Sequence, residues 1–282
     1  MKNFPLFFNS SLPRSGSTLL QNLLAQNRRH HCTSTNDVLD MVIRVRDGWM
    51  GSTGFIAQGL ATIEPRMKSF IRHALYGFYE PEFKAGQIVF DKSRGWLQNL
   101  ELLEDILQRP VKAIVCVRDI RDVVASFEKI FRRSVFTEHP LPGEERIKTL
   151  TVQSRAERLL QPDKTIGYMA ASLQDVFDRG MQDRLVIVPY WELTHYPMET
   201  VQRVCNECGL ESFVCDPAKV TQVTKEDDTV YGMSLHTIRS QVEPDKGHGW
   251  VGVLPDELAA RLDQYYLGIQ QLAKQRFLHA GR

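Results

Sequence analysis

Residues 10–20 read S-S-L-P-R-S-G-S-T-L-L, between an apolar run and the start of a helical pattern. A strand that feeds a small-residue turn and then a helix aims free backbone N–H groups and the positive end of the helix dipole at the turn. That arrangement is a seat for an anion. Gly16 lets the backbone come close to a phosphate. Ser15, Ser17 and Thr18 add hydroxyl donors, and Arg14 adds a planar charged fork. The nucleoside-triphosphatase loop G-x-x-x-x-G-K-[ST] would need glycine at 11 and lysine at 17. This chain has Ser11 and Ser17 there, so the lysine contact to a triphosphate is missing. A plain strand–helix turn with a capping serine uses the same residue types.

A second basic element follows the run Val111–Val117, V-K-A-I-V-C-V. Arg118 stands where that strand would end, and Ser126 comes eight residues later, in a helical pattern. Ligands of open α/β sheets bind at the carboxyl ends of strands, so Arg118 and Ser126 can grip one phosphate from two sides. Arg118 paired with Asp122 at the sheet edge is the purely structural use of the same residues. Two separated cationic elements suit a nucleotide with phosphates at two ends. A triphosphate would ask for one cluster with a metal, and no clear magnesium-binding acidic cluster is present.

These residues need elements to position them. Strand-like runs at Phe4–Asn9, Gln87–Phe90, Val111–Val117 and Arg184–Val188 alternate with helical periodicity. The helical stretches are Thr18–Gln26, Asp37–Arg46, Pro65–Tyr79, Leu97–Leu107, Asp119–Phe131, Met198–Cys208 and Pro255–Phe277. The alternation predicts an α/β protein, a P-loop-like three-layer fold with a central, mostly parallel sheet flanked by helices, as a single domain over residues 1–282. Three segments, His139–Glu144, Lys225–Tyr231 and Val242–Gly252, read as loops of the kind that cover an active site.

Composition excludes several classes. Apolar residues make up 43% and charged residues 24% of the 282, which rules out disorder or a fibrous repeat for the whole chain. Thirty-five Lys and Arg against 34 Asp and Glu give a net charge of +1, too little basic excess for a nucleic-acid-coating role. No apolar run approaches the roughly 18 residues of a membrane span, and Phe4–Phe8 is too short for a signal-peptide core, so a cytoplasmic protein is expected. Five cysteines do not make a disulfide framework. Cys205-x-x-Cys208 closes an amphipathic helix, reads as two partly buried thiols, and lacks the second pair that a zinc site wants.

Taken in order, N-S-S-L-P-R-S-G-S-T-L-L at 9–20 resembles the 5′-phosphosulfate loop of sulfotransferases that use 3′-phosphoadenosine 5′-phosphosulfate (PAPS). V-R-D-I-R-D-V-V-A-S at 117–126 resembles their 3′-phosphate motif. D-K-S at 91–93 resembles their lysine segment, P-Y-W-E-L at 189–193 the strand end near adenine, and K-G-H-G-W-V-G-V-L-P at 246–255 the late loop over the nucleotide. The resemblance runs from about residue 4 to about residue 275. Ile238-Arg239-Ser240 followed by W-V-G-x-L-P is most similar to the tyrosylprotein branch. It implies transfer of a sulfuryl group from PAPS to a hydroxyl or amine, with release of adenosine 3′,5′-bisphosphate (PAP) and no metal. Arg14 and residues 15–18 would hold the 5′-phosphosulfate, and Arg118 and Ser126 the 3′-phosphate. Tyr190 would lie near adenine. Ser240, Lys246 and Gly247 would close over the phosphates, and Lys92 would stabilise charge on the bridging oxygen.

The chain also departs from the pattern. The tyrosylprotein branch has a basic glutamate about twenty residues after the loop arginine; here Cys32–Asn36 reads C-T-S-T-N. Small-molecule members have a histidine soon after the lysine; here the segment reads K-S-R-G-W-L, with Arg94 in place of a proline. Gly249 precedes the tryptophan where the tyrosylprotein branch has lysine. Asp37 is the nearest carboxylate and is the candidate base, with a solvated helix-start residue as the plain alternative. His30 and His31 read as surface residues. A small molecule, glycan or peptide remains open as sulfate acceptor, and the oligomeric state is not readable. Arg28, Arg29, Arg44, Arg46, Arg132 and Arg133 would suit an acidic acceptor or simply solvated helix faces. The segment 132–146 is expected to shape acceptor choice. Two further readings are a PAPS- or PAP-binding module that has lost catalysis, and a P-loop kinase.

Overall fold

A computed structural model describes residues 5–134, 150–231 and 235–279. Its frame is a five-stranded parallel sheet in the order β2-β3-β1-β4-β5. Strand β1 (Leu6–Asn9) runs into α1 (Ser17–Leu24). Strand β2 (His30–Thr35) leads to the packed helices α2 (Val38–Met50), α3 (Thr53–Gln58) and α4 (Leu60–Phe78), then the short α5 (Glu80–Lys84). Strand β3 (Ile88–Lys92) continues through a 3-10 turn at Arg94–Asn99 into α6 (Leu100–Leu107). Strand β4 (Ala113–Val117) precedes α7 (Ile120–Ser134), α8 (Val152–Leu159) and α9 (Thr165–Asp178). Strand β5 (Leu185–Pro189) precedes α10 (Tyr190–His195) and α11 (Pro197–Glu207), and α12 (Asp256–Tyr265) and α13 (Leu267–Lys274) come last.

Both faces of the sheet are covered, which is why β4 and β5 are apolar at every position rather than alternating. Ala113, Val115, Leu185 and Ile187 enter one core with Leu100, Leu103 and Leu173 from α6 and α9. Ile114, Cys116, Val186 and Val188 enter the other with Leu20 and Leu24 of α1 and Val201 and Val204 of α11. The expected three layers follow from this period-two division.

The sequence reading named none of α3, α5, α8, α9 and α10, and three further elements differ from it. Strand β2 was not foreseen, because H-H-C-T-S-T is polar. It is an edge strand held by pairing to β3, and it buries His30, whose Nδ1 lies 3.0 Å from the Leu24 carbonyl. Helix α4 begins at Leu60, after Gly59, and carries Pro65 inside it. The packing of the helix outweighs the backbone hydrogen bond that proline removes. The long final helix is two helices, broken at Tyr266 (φ −106°, ψ 37°). His139–Glu144 and most of 132–146 lie outside the described residues.

The five cysteines are free. Burial is the main cause that raises Cys205 to about 11 and Cys208 to about 12. Such thiols behave as packing groups rather than nucleophiles. Among the described residues no group of three His, Cys, Asp or Glu could hold a metal ion, and no helix is long and apolar enough to cross a membrane.

Candidate active site

All five strands end on one cleft of about 560 Å³. Asn9 closes β1, Thr35 β2 and Lys92 β3, while Arg118 and Tyr190 follow β4 and β5, and each lines the cleft. The chain runs from β1 to β2 on one side of the sheet and crosses to β4 on the other, so the cleft sits where the strand order reverses.

Its floor is the start of α1. Gly16 has φ 94°, a left-handed value that favours glycine, and no side chain caps α1. The first N–H groups of the helix therefore lack an intrahelical partner and face the cleft with Ser17 and Thr18. A Cβ at Gly16 would lie 2.7 Å from the Tyr190 ring. Gly16→Ala is therefore expected to destabilise the fold by more than about 1 kcal/mol, measured by urea denaturation. An unchanged midpoint would show that the turn can relax. Ser15 is fully buried, and its hydroxyl donates to the Leu12 and Cys116 carbonyls at 2.5 and 2.9 Å; its side chain shapes the turn from below.

At one end, two guanidinium groups meet. Arg14, itself at φ 58°, donates to Ser126 Oγ at 3.1 Å and to the Leu235 carbonyl. Arg118 lies 4.1 Å over the Tyr190 ring and donates to Asp245 Oδ1 at 2.9 Å, with its Nε buried and unpaired. Asp122 is 4.0 Å from that Nε, too far for a hydrogen bond. Burial, then the charge of Arg118, lower the Arg14 pKa from its ordinary value. Two cations sharing a partly buried pocket, one with an orphaned donor, fit a multivalent anion.

At the other end stands Lys92, nearly buried, with Nζ 3.3 Å from both Thr18 Oγ1 and Glu226 Oε1. Glu226 Oε1 also accepts from the Thr35 N–H at 2.9 Å and its hydroxyl at 3.1 Å. His236 lines the cleft. Its Nε2 lies 3.3 Å from Glu226 Oε2, and its Nδ1 is 2.6 Å from Asp228 Oδ1. Both ring nitrogens face carboxylate oxygens, and the much shorter contact to Asp228 favours the tautomer with its proton on Nδ1. Glu226 Oε2 is buried without a well-aligned hydrogen bond. Burial alone would raise Glu226, but Lys92, the Thr35 N–H and His236 together hold it below its ordinary value. Burial lowers Lys92, against the pull of Glu226. Burial also lowers His236, with Asp228 opposing and Lys92 adding to the effect.

A sequence profile of the sulfotransferase family matches residues 5–214. The chain belongs to the sulfotransferase family. Two solved structures share its fold. One is the sulfotransferase domain from the curacin biosynthetic pathway, at 16% identity and a TM-score of 0.57, covering 93% of this chain and 96% of that one. The other is the sulfotransferase domain from the Synechococcus PCC 7002 olefin synthase, at 18% identity and a TM-score of 0.54, covering 95% and 96%. No curated protein matches the sequence. These matches give no support to the narrower tyrosylprotein branch.

Of the residues singled out by sequence, the cleft gathers Arg14, Gly16, Ser17, Thr18, Lys92, Arg118, Tyr190, Lys246 and Gly247, with Ser126 behind Arg14. Two stand apart. Asp37 is exposed at the start of α2, outside the cleft lining, and it is Asn36 that accepts from the Val38 N–H at 2.8 Å. Ser240 is exposed and also outside the lining, although its carbonyl accepts from the Val220 N–H at 2.7 Å. None of the six arginines named as an acceptor field lines the cleft. Sequence reasoning missed Glu226, Asp228 and His236. The first two lie in Lys225–Tyr231, a segment already marked as a loop over a site, and that was the available signal.

Proposed function

We propose that this sulfotransferase moves a sulfuryl group from PAPS to a hydroxyl or amine acceptor and releases PAP. The observation that carries the reading is that one cleft holds two different charged clusters. One is a double-arginine anion pocket, and the other a buried lysine beside a carboxylate and a histidine. PAPS supplies an activated sulfuryl group on a phosphate leaving group. Arg14, Arg118 and Ser126 hold its 3′-phosphate, and the Tyr190 ring lies against the base. The uncapped start of α1, with Ser17 and Thr18, takes the charged 5′ end. Lys92 reaches that end past Thr18 and stabilises negative charge as it develops there. Glu226, backed by His236 and Asp228, takes the proton from the acceptor and replaces Asp37 as the candidate base.

The placement of Arg14 deepens this assignment. Its guanidinium stands with Ser126 and Arg118 rather than over residues 15–18, so it belongs with the 3′-phosphate group. Calorimetric titration with PAP is the direct test. Wild type is expected to bind, and Arg118→Ala is expected to lose about a hundredfold in affinity, since a partly buried charged contact contributes several kcal/mol. Wild type that fails to bind PAP would remove the donor assignment. Transfer from labelled PAPS across peptide, glycan and small-alcohol panels then identifies the acceptor.

A further inference from the structure

The pocket assigned to the 3′-phosphate already contains an anion of the chain's own. Asp245 Oδ1 is 2.9 Å from Arg118 Nη2, and the pair is largely shielded, with side-chain exposures of 16% and 18%. The backbone under Asp245 is anchored independently. Its N–H donates to Thr194 Oγ1 at 3.1 Å, and the Trp250 N–H further along donates to Asp122 Oδ1 at 3.0 Å. The carboxylate can therefore leave Arg118 by rotating its side chain while the loop stays in place.

A carboxylate is a poor match for this pocket. It uses one terminal nitrogen of Arg118 and leaves Nε buried and unpaired. Two carboxylates face the two guanidinium groups, Asp245 in contact and Asp122 4.0 Å from Nε, and neither gives that Nε a hydrogen bond. A phosphate carries more charge and more acceptor oxygens, and its geometry suits the planar fork of arginine. Resting on the PAPS reading, we propose that Asp245 is a built-in competitor for the donor's 3′-phosphate. It holds Arg118 in the empty enzyme and has to swing away before that phosphate can bind.

Two consequences follow from the competition. A seat that is free only part of the time weakens apparent affinity by the fraction of time it is free. The penalty falls on nucleotides that use the seat and spares those that do not, so Asp245 sets how strongly the enzyme distinguishes nucleotides by their 3′-phosphate. An aspartate that merely orients Arg118 would have the opposite effect on removal.

The test is calorimetric titration of the full chain, as wild type, Asp245→Asn and Asp245→Ala, with PAP and with adenosine 5′-monophosphate. Both variants are expected to bind PAP about tenfold tighter, with monophosphate affinity unchanged within about twofold. If wild type binds PAP and both variants bind it equally or more weakly, Asp245 positions Arg118 and the competition is overturned. Equal tightening toward both nucleotides overturns it too, because the gain would be a general loss of negative charge. If no form binds either nucleotide, the donor reading itself fails and the inference falls with it.

Discussion

Lys92→Met is expected to lower kcat for sulfuryl transfer by about 10²–10³-fold while leaving PAP affinity within a few-fold of wild type. The size follows from position. Lys92 closes β3 next to β1 in the sheet, and its Nζ lies between Thr18 at the start of α1 and Glu226 on the late loop. It is the cation at the end of the cleft where charge develops. The arginines proposed to hold PAP make no contact with Lys92, so chemistry and donor affinity should separate in this variant. Methionine keeps most of the stem, which matters because the Lys92 side chain is almost wholly buried. Glu226 keeps its Thr35 contacts when the lysine charge is gone, so the loop retains an anchor. The measurement is steady-state transfer from labelled PAPS beside calorimetry with PAP. Unaltered kcat would remove Lys92 from the mechanism. A module that bound the nucleotide without catalysis would show no turnover in wild type either.

The arginine cluster of this cleft was partly legible in sequence for a physical reason. A buried parallel strand announces itself as an unbroken apolar run, and the residue after the run stands at the sheet edge where ligands bind. Arg118 after A-I-V-C-V is found that way, whereas Tyr190 after L-V-I-V-P entered only through the resemblance. Gly16 was legible because a strand–turn–helix junction needs a residue tolerant of positive φ. The proposed base was not legible. Glu226 and His236 come to Lys92 across more than 130 residues, on segments with neither strand nor helix periodicity. Local pattern cannot encode a contact between a strand end and an irregular loop that folds back on it. Strand β2 was lost for a related reason: its polar residues are held by pairing to β3, and only the neighbouring strand reveals that partner. Asp37 was chosen by nearness along the chain, and the chain turns into α2 just there, leaving Asp37 in solvent.

The acid limb of the pH–rate profile offers the sharpest separation of roles within the Glu226–His236 pair. Burial is the leading cause that pulls His236 below its ordinary value of 6.5, while Lys92, the Thr35 N–H and His236 hold Glu226 below 4.5 against burial. Both groups are thus in their basic forms at pH 7, and kcat should be level near neutrality. Because both values are depressed, acidification is what removes the basic forms: His236 gains its proton at a pH below 6.5 and Glu226 at a pH below 4.5. The fold follows the same sign. The contribution of Glu226 to stability is present above 4.5 and is lost as pH falls through its lower folded value. Glu226→Gln is expected to cost about 10²–10⁴-fold in kcat at neutral pH, the usual range for a general base. The amide still accepts from Thr35, so the fold is preserved. His236→Gln should act differently. It removes the upper part of the acid limb and leaves the fall below 4.5 that belongs to Glu226, with a smaller loss at pH 7. The two apparent values are properties of a coupled pair, so the variants rather than the wild-type curve assign them. Wild-type turnover by Glu226→Gln across this range would transfer the role of base to another group. Loss of the whole acid limb in His236→Gln would make His236 itself the proton acceptor and Glu226 the group that positions Lys92.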